Sequence, residues 1–246
     1  MLQENPSADK SESTQGRRWL ATEFDTLDYG WALALQHALV TARRSGAIKE
    51  NVLLLLEHPP VFTLGRRGGS DNLKVSPGFL KQQGIALVQI ERGGDITYHG
   101  PGQLVAYIIF DLHAERNGVE DFVHRLEEVM LRVSRSWGVA AARNQRNRGI
   151  WVKNDKLGSV GIAIRRGITF HGLALNVDPR LEHFGWIHPC GLQNVGVTSI
   201  RREIAKPVSM KGVRRAFRHH FSEVFAAELK SISRQQLTAR LENASL

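Results

Sequence analysis

The chain has 246 residues, 42% of them hydrophobic, which is enough to bury one sizeable core without division into two domains. Its net charge of +9 favours anionic partners, whether nucleic acid, membrane surface or acidic protein, and does not choose among them. The longest apolar runs have strand length, far short of the roughly 20 residues that cross a bilayer. The single cysteine, Cys190, excludes an intramolecular disulfide and points to a reducing compartment.

Residues 1–18 are polar, lack an apolar signal core and carry Glu4, Asp9 and Glu12, so they read as a disordered lead-in rather than a targeting segment. From Trp19 a strand-like opening leads to "YGWALALQHALVTARR", whose apolar spacing predicts a helix ending near Arg43 and Arg44. "NVLLLLEHPPVFTLG" is too short and proline-broken for a helix, and predicts two strands meeting at Pro59-Pro60. A short helix at "PGFLKQQG" precedes "IALVQI", read as a central strand. "QLVAYIIFDL" predicts a buried strand, and "VEDFVHRLEEVMLRVSRSWG" an amphipathic helix closed by Gly138.

The second half turns strand-rich. "GIWVK", "LGSVGIAIRR" and "ITFHGLALNV" are β-like runs separated by the turn signals "NDK" and "RG", and helices follow near 208–229 and 233–243. This order suggests an α+β domain over 19–225, with a mixed sheet flanked by helices, and a helical extension over 226–246.

The segment "ERGGDITYHGPGQ" concentrates Gly93, Gly94, Gly100 and Gly102 around His99, yet fits neither the P-loop nor the dinucleotide fingerprint. It therefore offers bare backbone, able to adopt positive φ or approach something long and thin. "TFHG" before Gly172 repeats the Thr-aromatic-His-Gly theme, so His99 and His171 are expected to face one cleft. Pro189 and Gly191 flank Cys190 in a pattern that favours a turn presenting the thiol. A thiol nucleophile needs a nearby cation to become thiolate, and Lys156, His171 and His188 are the candidates.

Four blocks, "LEHPPVFTLGRRG", "ERGGDITYHGPGQLVAYIIFDL", "GIWVKNDKLGSVGIAIRRGITFHGLALNV" and "PCGLQNVGVTS", resemble in order the octanoyl-[acyl carrier protein]:protein N-octanoyltransferases of lipoate synthesis. The resemblance implies that Cys190 is the acyl-thioester nucleophile and Lys156 the lysine that activates it. It implies that Arg92, Gly93, Gly94, Asp95, Ile96, Thr97, Tyr98 and His99 bind substrate, together with Ser159, Val160, Gly161, Gly172, Leu173 and Ala174. The implied fold is that of the biotin and lipoate protein ligase catalytic domain. The donor would be octanoyl-acyl carrier protein, and the acceptors lipoyl domains of 2-oxoacid dehydrogenases and the glycine cleavage H protein. No metal or other cofactor is implied, and the expected protein is a cytoplasmic monomer. Gly158 departs from the pattern, which leads one to expect alanine or another small residue there.

The alternative is an ATP-dependent lipoate or biotin ligase, which would not need Cys190. A nucleic-acid module is disfavoured because the RGG triplets are isolated and aromatic residues make up only 7%. Ten histidines invite a metal site, but no ligand spacing supports one, and "RHHF" reads as helix surface. Under the transferase reading, Arg66, Arg67, Arg143, Arg146 and Arg148 are candidates for a positive rim that meets acidic partners.

Overall fold

The computed structural model describes residues 18–114, 118–188 and 195–244. Strand β1 (Arg18–Thr26) leads into α1 (Tyr29–Ser45), which starts where the Asp28 carboxylate accepts from Trp31 N at 3.0 Å and stops at Gly46 with φ 79°. The chain then bends at Pro59-Pro60 between β2 (Asn51–Glu57) and β3 (Val61–Leu64). A short helix α2 (Pro77–Gln82), capped by Ser76, precedes β4 (Ala86–Gln89), β5 (Ile96–His99) and β6 (Gln103–Ile109). Helix α3 (Val119–Ser136) is followed by the strands β7 (Ala142–Arg143), β8 (Gly149–Val152), β9 (Asp155–Arg165) and β10 (Ile168–Asn176). The remaining elements are β11 (Gly196–Val197), α4 (Ile200–Ile204), α5 (Met210–Phe225), β12 (Glu228–Ser231) and α6 (Arg234–Ala244).

The main sheet runs β12-β1-β2-β6-β10-β9-β8-β7, with β11 alongside β9; β1 pairs in parallel with β2 and β12, whereas the β2-to-β7 neighbours are antiparallel. All seven residues of β6 are buried because helices cover both faces. On one face Leu104, Ala106 and Ile108 pack against Phe122, Leu126 and Met130 of α3 and Phe217 and Phe221 of α5. On the other, Val105, Tyr107 and Ile109 meet Ala32, Leu35 and Leu39 of α1. Each buried side chain of this kind contributes on the order of 1.5–3 kcal/mol. The fold is therefore a mixed α+β sheet with flanking helices, as the order of elements suggested.

A second, three-stranded sheet, β4-β3-β5, stands apart from the first. This corrects the expectation for "IALVQI". Among the described residues the strand pairs only with β3, is exposed or half-buried along its length, and forms an edge rather than a centre. A short apolar run reports that a strand can form, not which sheet it joins. The helix expected over 208–229 also breaks early: Ala226 turns left-handed at φ 49°, and β12 adds to the edge of β1 before α6 packs beneath. The lead-in 1–18 lies outside the described residues except for Arg18, which opens β1. Among the described residues no helix is long and apolar enough to cross a membrane.

Candidate functional site

The two sheets are joined where the glycine segment between β4 and β5 crosses β9. Gly93 N donates to Ile162 O at 2.8 Å, and the loop after β3 closes over the segment through Arg66 N to Arg92 O (2.9 Å) and Arg67 N to Gly94 O (3.1 Å). Arg92 is the internal tie. Its guanidinium donates to Thr63 O (2.8 Å), Thr63 Oγ1 (2.9 Å) and Gly93 O (3.1 Å) while 92% of the residue is buried. Between this crossing and the main sheet lies a cavity that is partly open to solvent, with apolar walls and a few polar groups.

The wall is thin because its residues are small. Ser159 and Gly161 of β9 stand opposite Ala174 and Gly172 of β10, which stand opposite Val105 and Tyr107 of β6, so one face carries this whole set. Lys156 joins the same face through a bulge. Ile150 pairs with Gly158 but Trp151 with Lys156, so Leu157 and Gly158 both turn toward α3 and the alternation is reset. A Cβ at Gly158 would lie 2.7 Å from Met130 Sδ, so glycine there makes room for the α3 side chain. Lys156 is 4% exposed; its ammonium donates to Asn147 Oδ1 at 3.2 Å and sits 5.1 Å from the Trp151 ring centroid. Gly149, at φ 122°, leaves the space that the Lys156 stem needs, and the buried carboxylate of Glu127 holds Gly149 N at 2.8 Å.

The opposite end of the cavity is lined by Tyr29, Tyr107, His99 and His171. Behind them His58 Nδ1 donates to Leu27 O at 2.6 Å; its Nε2 therefore accepts from the Tyr107 hydroxyl at 2.7 Å. The Gln103 amide donates to Tyr98 O and Asn176 Oδ1, so its oxygen accepts from His99 Nδ1 at 2.7 Å. Burial drives the His58 ring down to about 4, and His99 and His171 to about 3, leaving all three neutral at ordinary pH. The same desolvation raises the phenols of Tyr29 and Tyr107, keeping them as neutral hydrogen-bonding groups.

Of the residues that the sequence resemblance singled out, Arg92, Gly93, Gly94, Asp95, Ile96, Thr97, His99, Lys156, Ser159, Val160, Gly161, Gly172, Leu173 and Ala174 all line this one cavity. Tyr98 does not. It packs on the other side of the small sheet against Phe62, His183 and Phe184, because alternate residues of β5 face opposite ways. The glycines divide as well. Gly93 and Gly94 line the cavity, whereas Gly100 and Gly102 shape the turn into β6. At Gly102, φ is 85°, a Cβ would overlap Asp178 O, and the carbonyl accepts from Val177 N and Asp178 N.

Cys190 lies outside the described residues, as do Pro189 and Gly191. The chain on either side is anchored: His188 N donates to Asn72 O at 2.8 Å, and Val197 in β11 pairs with Lys156. Sequence reasoning missed Tyr29, Asn147, Gly149 and Tyr107 at this site. A phenol inside the otherwise apolar run "LVAYIIF" is the one signal that pointed to any of them. Among the arginines expected at a positive rim, Arg143 is committed to Glu127 and Glu128, and Arg148 to Glu120. Arg66, Arg67 and Arg146 have exposed side chains and no carboxylate partner among the described residues.

Residues 28–222 match the lipoyl protein ligase A/B catalytic domain. An octanoyltransferase of Desulfotalea psychrophila is 51% identical over 172 residues, covering 69% of this chain and 77% of the relative. One of Syntrophobacter fumaroxidans is 43% identical over 88% of this chain and 95% of its own length. Among solved structures, a lipoate-protein ligase A bound with ATP aligns with a TM-score of 0.70 at 17% identity, covering 93% of both chains. A bipartite lipoate protein ligase from Thermoplasma acidophilum, described with its E2 lipoyl domain, aligns at 0.67 and 17%, covering 93% of this chain and 91% of that one. The ligases share the fold, while the close sequence relatives are transferases, which does not favour the ATP-dependent alternative. With a family domain over most of its length and relatives of this identity, the chain belongs to the octanoyltransferase family and is an acyltransferase.

Proposed function

We propose that this acyltransferase takes an octanoyl group from octanoyl-acyl carrier protein and delivers it to the ε-amine of a lysine on a lipoyl domain, through a thioester on Cys190. The observation that carries the reading is a thin slot walled by small residues, with the Lys156 ammonium at one end beside β11. The segment bearing Cys190 runs directly into that strand.

The Cys190 thiolate, favoured by the positive charge of Lys156, attacks the thioester carbonyl; the new C–S bond replaces the donor's, and the carrier thiolate leaves with a proton. The acceptor amine then attacks the acyl-enzyme. The C–S bond breaks as the amide forms, and the amine proton returns to the cysteine through Lys156. The backbone around the slot is rich in glycine N–H groups, which suit a developing oxyanion, each donor typically contributing about 3 kcal/mol. Acceptors of this kind are lipoyl domains of 2-oxoacid dehydrogenases and the glycine cleavage H protein.

The test is intact mass after mixing with octanoyl-acyl carrier protein. The wild type should gain one octanoyl group that an apo lipoyl domain discharges, and Cys190→Ala should gain none. Lys156→Met should fold but acylate slower by about 10²-fold or more, the usual scale for loss of a proton-transfer group. Octanoylation of the acceptor without any enzyme adduct would refute the thioester route.

A further inference from the structure

We propose that the inner end of the slot is a hydrogen-bonding pocket for a hydroxyl at the far end of the acyl chain, with His171 Nε2 as its partner. The protein would then accept ω-hydroxyacyl groups of the same length beside plain acyl groups. The proposal rests on the transfer reading above for what occupies the slot.

His171 is 2% exposed, lines the cavity, and its Nε2 has no hydrogen-bond partner among the described residues. The rings around it are differently placed: the Tyr107 hydroxyl is engaged by His58 and the His99 Nδ1 by Gln103. A buried polar atom without a partner is costly and rare, and within a ligand cavity its natural partner is the ligand. The residue is also held in an unusual backbone state. At φ 58° it is left-handed, a conformation that persists in a non-glycine residue only where its surroundings impose it. Here Gln36 of α1 imposes it, its Oε1 accepting from His171 N at 2.7 Å while its amide donates to Ala32 O.

The slot's direction places this nitrogen at the ω end. Lys156 and Tyr107 are two strands apart across the sheet and about five residue steps apart along it, roughly 15–20 Å between Cα atoms before their side chains reach inward. An acyl group whose carbonyl lies at Lys156 therefore points its terminal carbon at His171 and Tyr107. A terminal methyl leaves Nε2 unpaired, and a longer apolar chain must press against polar rings. A hydroxyl both donates and accepts, so it satisfies either tautomer of the neutral imidazole.

The experiment is calorimetric binding of octanoate and 8-hydroxyoctanoate to the full-length protein. A hydroxyl buried without a partner costs about 1–3 kcal/mol, or roughly 5- to 150-fold in affinity. The expected ratio of the two dissociation constants is instead within about 3-fold, since a made hydrogen bond offsets that cost. His171→Leu should raise the ratio to about 10-fold or more against the hydroxy acid, whatever it does to octanoate itself, and His171→Asn, which tolerates a left-handed φ and keeps a polar group, should hold it within a few-fold. Discrimination beyond about 30-fold by the wild type, or a leucine variant with an unchanged ratio, would overturn the proposal. The wild-type ratio decides it even if the leucine variant fails to fold. If these ratios hold but no octanoyl adduct forms on the enzyme, the thioester route falls and the pocket stands.

Discussion

Acidification should weaken this protein through three rings at the inner end of its slot. His58, His99 and His171 are neutral in the fold, with values of about 4, 3 and 3, against about 6.5 in the unfolded chain. Burial is the main cause in each case, and Arg92 adds to it at His99 and His171. Because the folded values are depressed, the unfolded chain binds more protons between pH 6.5 and 4. Stability is therefore fully present above pH 6.5 and declines as pH falls toward the folded values, where both states become protonated. Each ring contributes about 1.9 kcal/mol of loss between pH 7 and pH 5, so the three together remove on the order of 5 kcal/mol, a large part of a typical domain's 5–15 kcal/mol. Urea unfolding followed by circular dichroism at pH 7 and pH 5 measures the change. His171→Asn should recover about 1.9 kcal/mol of it, since that residue cannot titrate. A loss below about 2 kcal/mol across this range, or no recovery in the variant, would mean that the rings are not held neutral as the geometry requires.

Gly102→Ala should destabilise the protein by about 2–4 kcal/mol in the same unfolding assay, because the residue is left-handed and its Cβ would overlap the Asp178 carbonyl, which the backbone cannot easily move. Gly46→Ala, also left-handed but with open space around it, should cost only about 1 kcal/mol, and equal losses at the two sites would refute the steric account. Under the proposed donor, kcat/KM with octanoyl-acyl carrier protein should fall about 10-fold between 50 and 500 mM salt, while a small neutral octanoyl thioester changes less than about 2-fold. Arg66→Glu with Arg67→Glu should remove most of that difference, because these exposed cations stand on the loop that closes over Arg92 to Gly94. Identical salt curves for the two donors would exclude electrostatic docking.

Much of this molecule was legible in the residues alone. The helices α1 and α3 and the strand β6 follow from their apolar runs, and the Gly138 stop is local chemistry that needs no partner, whereas the Asp28 cap and the Gly46 stop of α1 went unread. The two Thr-aromatic-His-Gly units gave reason to expect His99 and His171 at one cleft, and both line it, although His99 ends β5 whereas His171 lies within β10. What the sequence could not specify was pairing. Whether β4 lies at the centre of one sheet or the edge of another depends on contacts with distant strands, and its own composition is compatible with both. The β9 bulge that turns Lys156 onto the slot face depends on register against β8, which no local pattern encodes. The inner end is the clearest case. Tyr29, His58, Tyr107 and His171 come from a helix, a turn and two strands, each polar residue reading as an isolated exception in an apolar context. Only tertiary packing brings them close enough to share hydrogen bonds and exclude water, and that desolvation, a property of the assembled group, keeps the rings neutral and gives the slot a polar end.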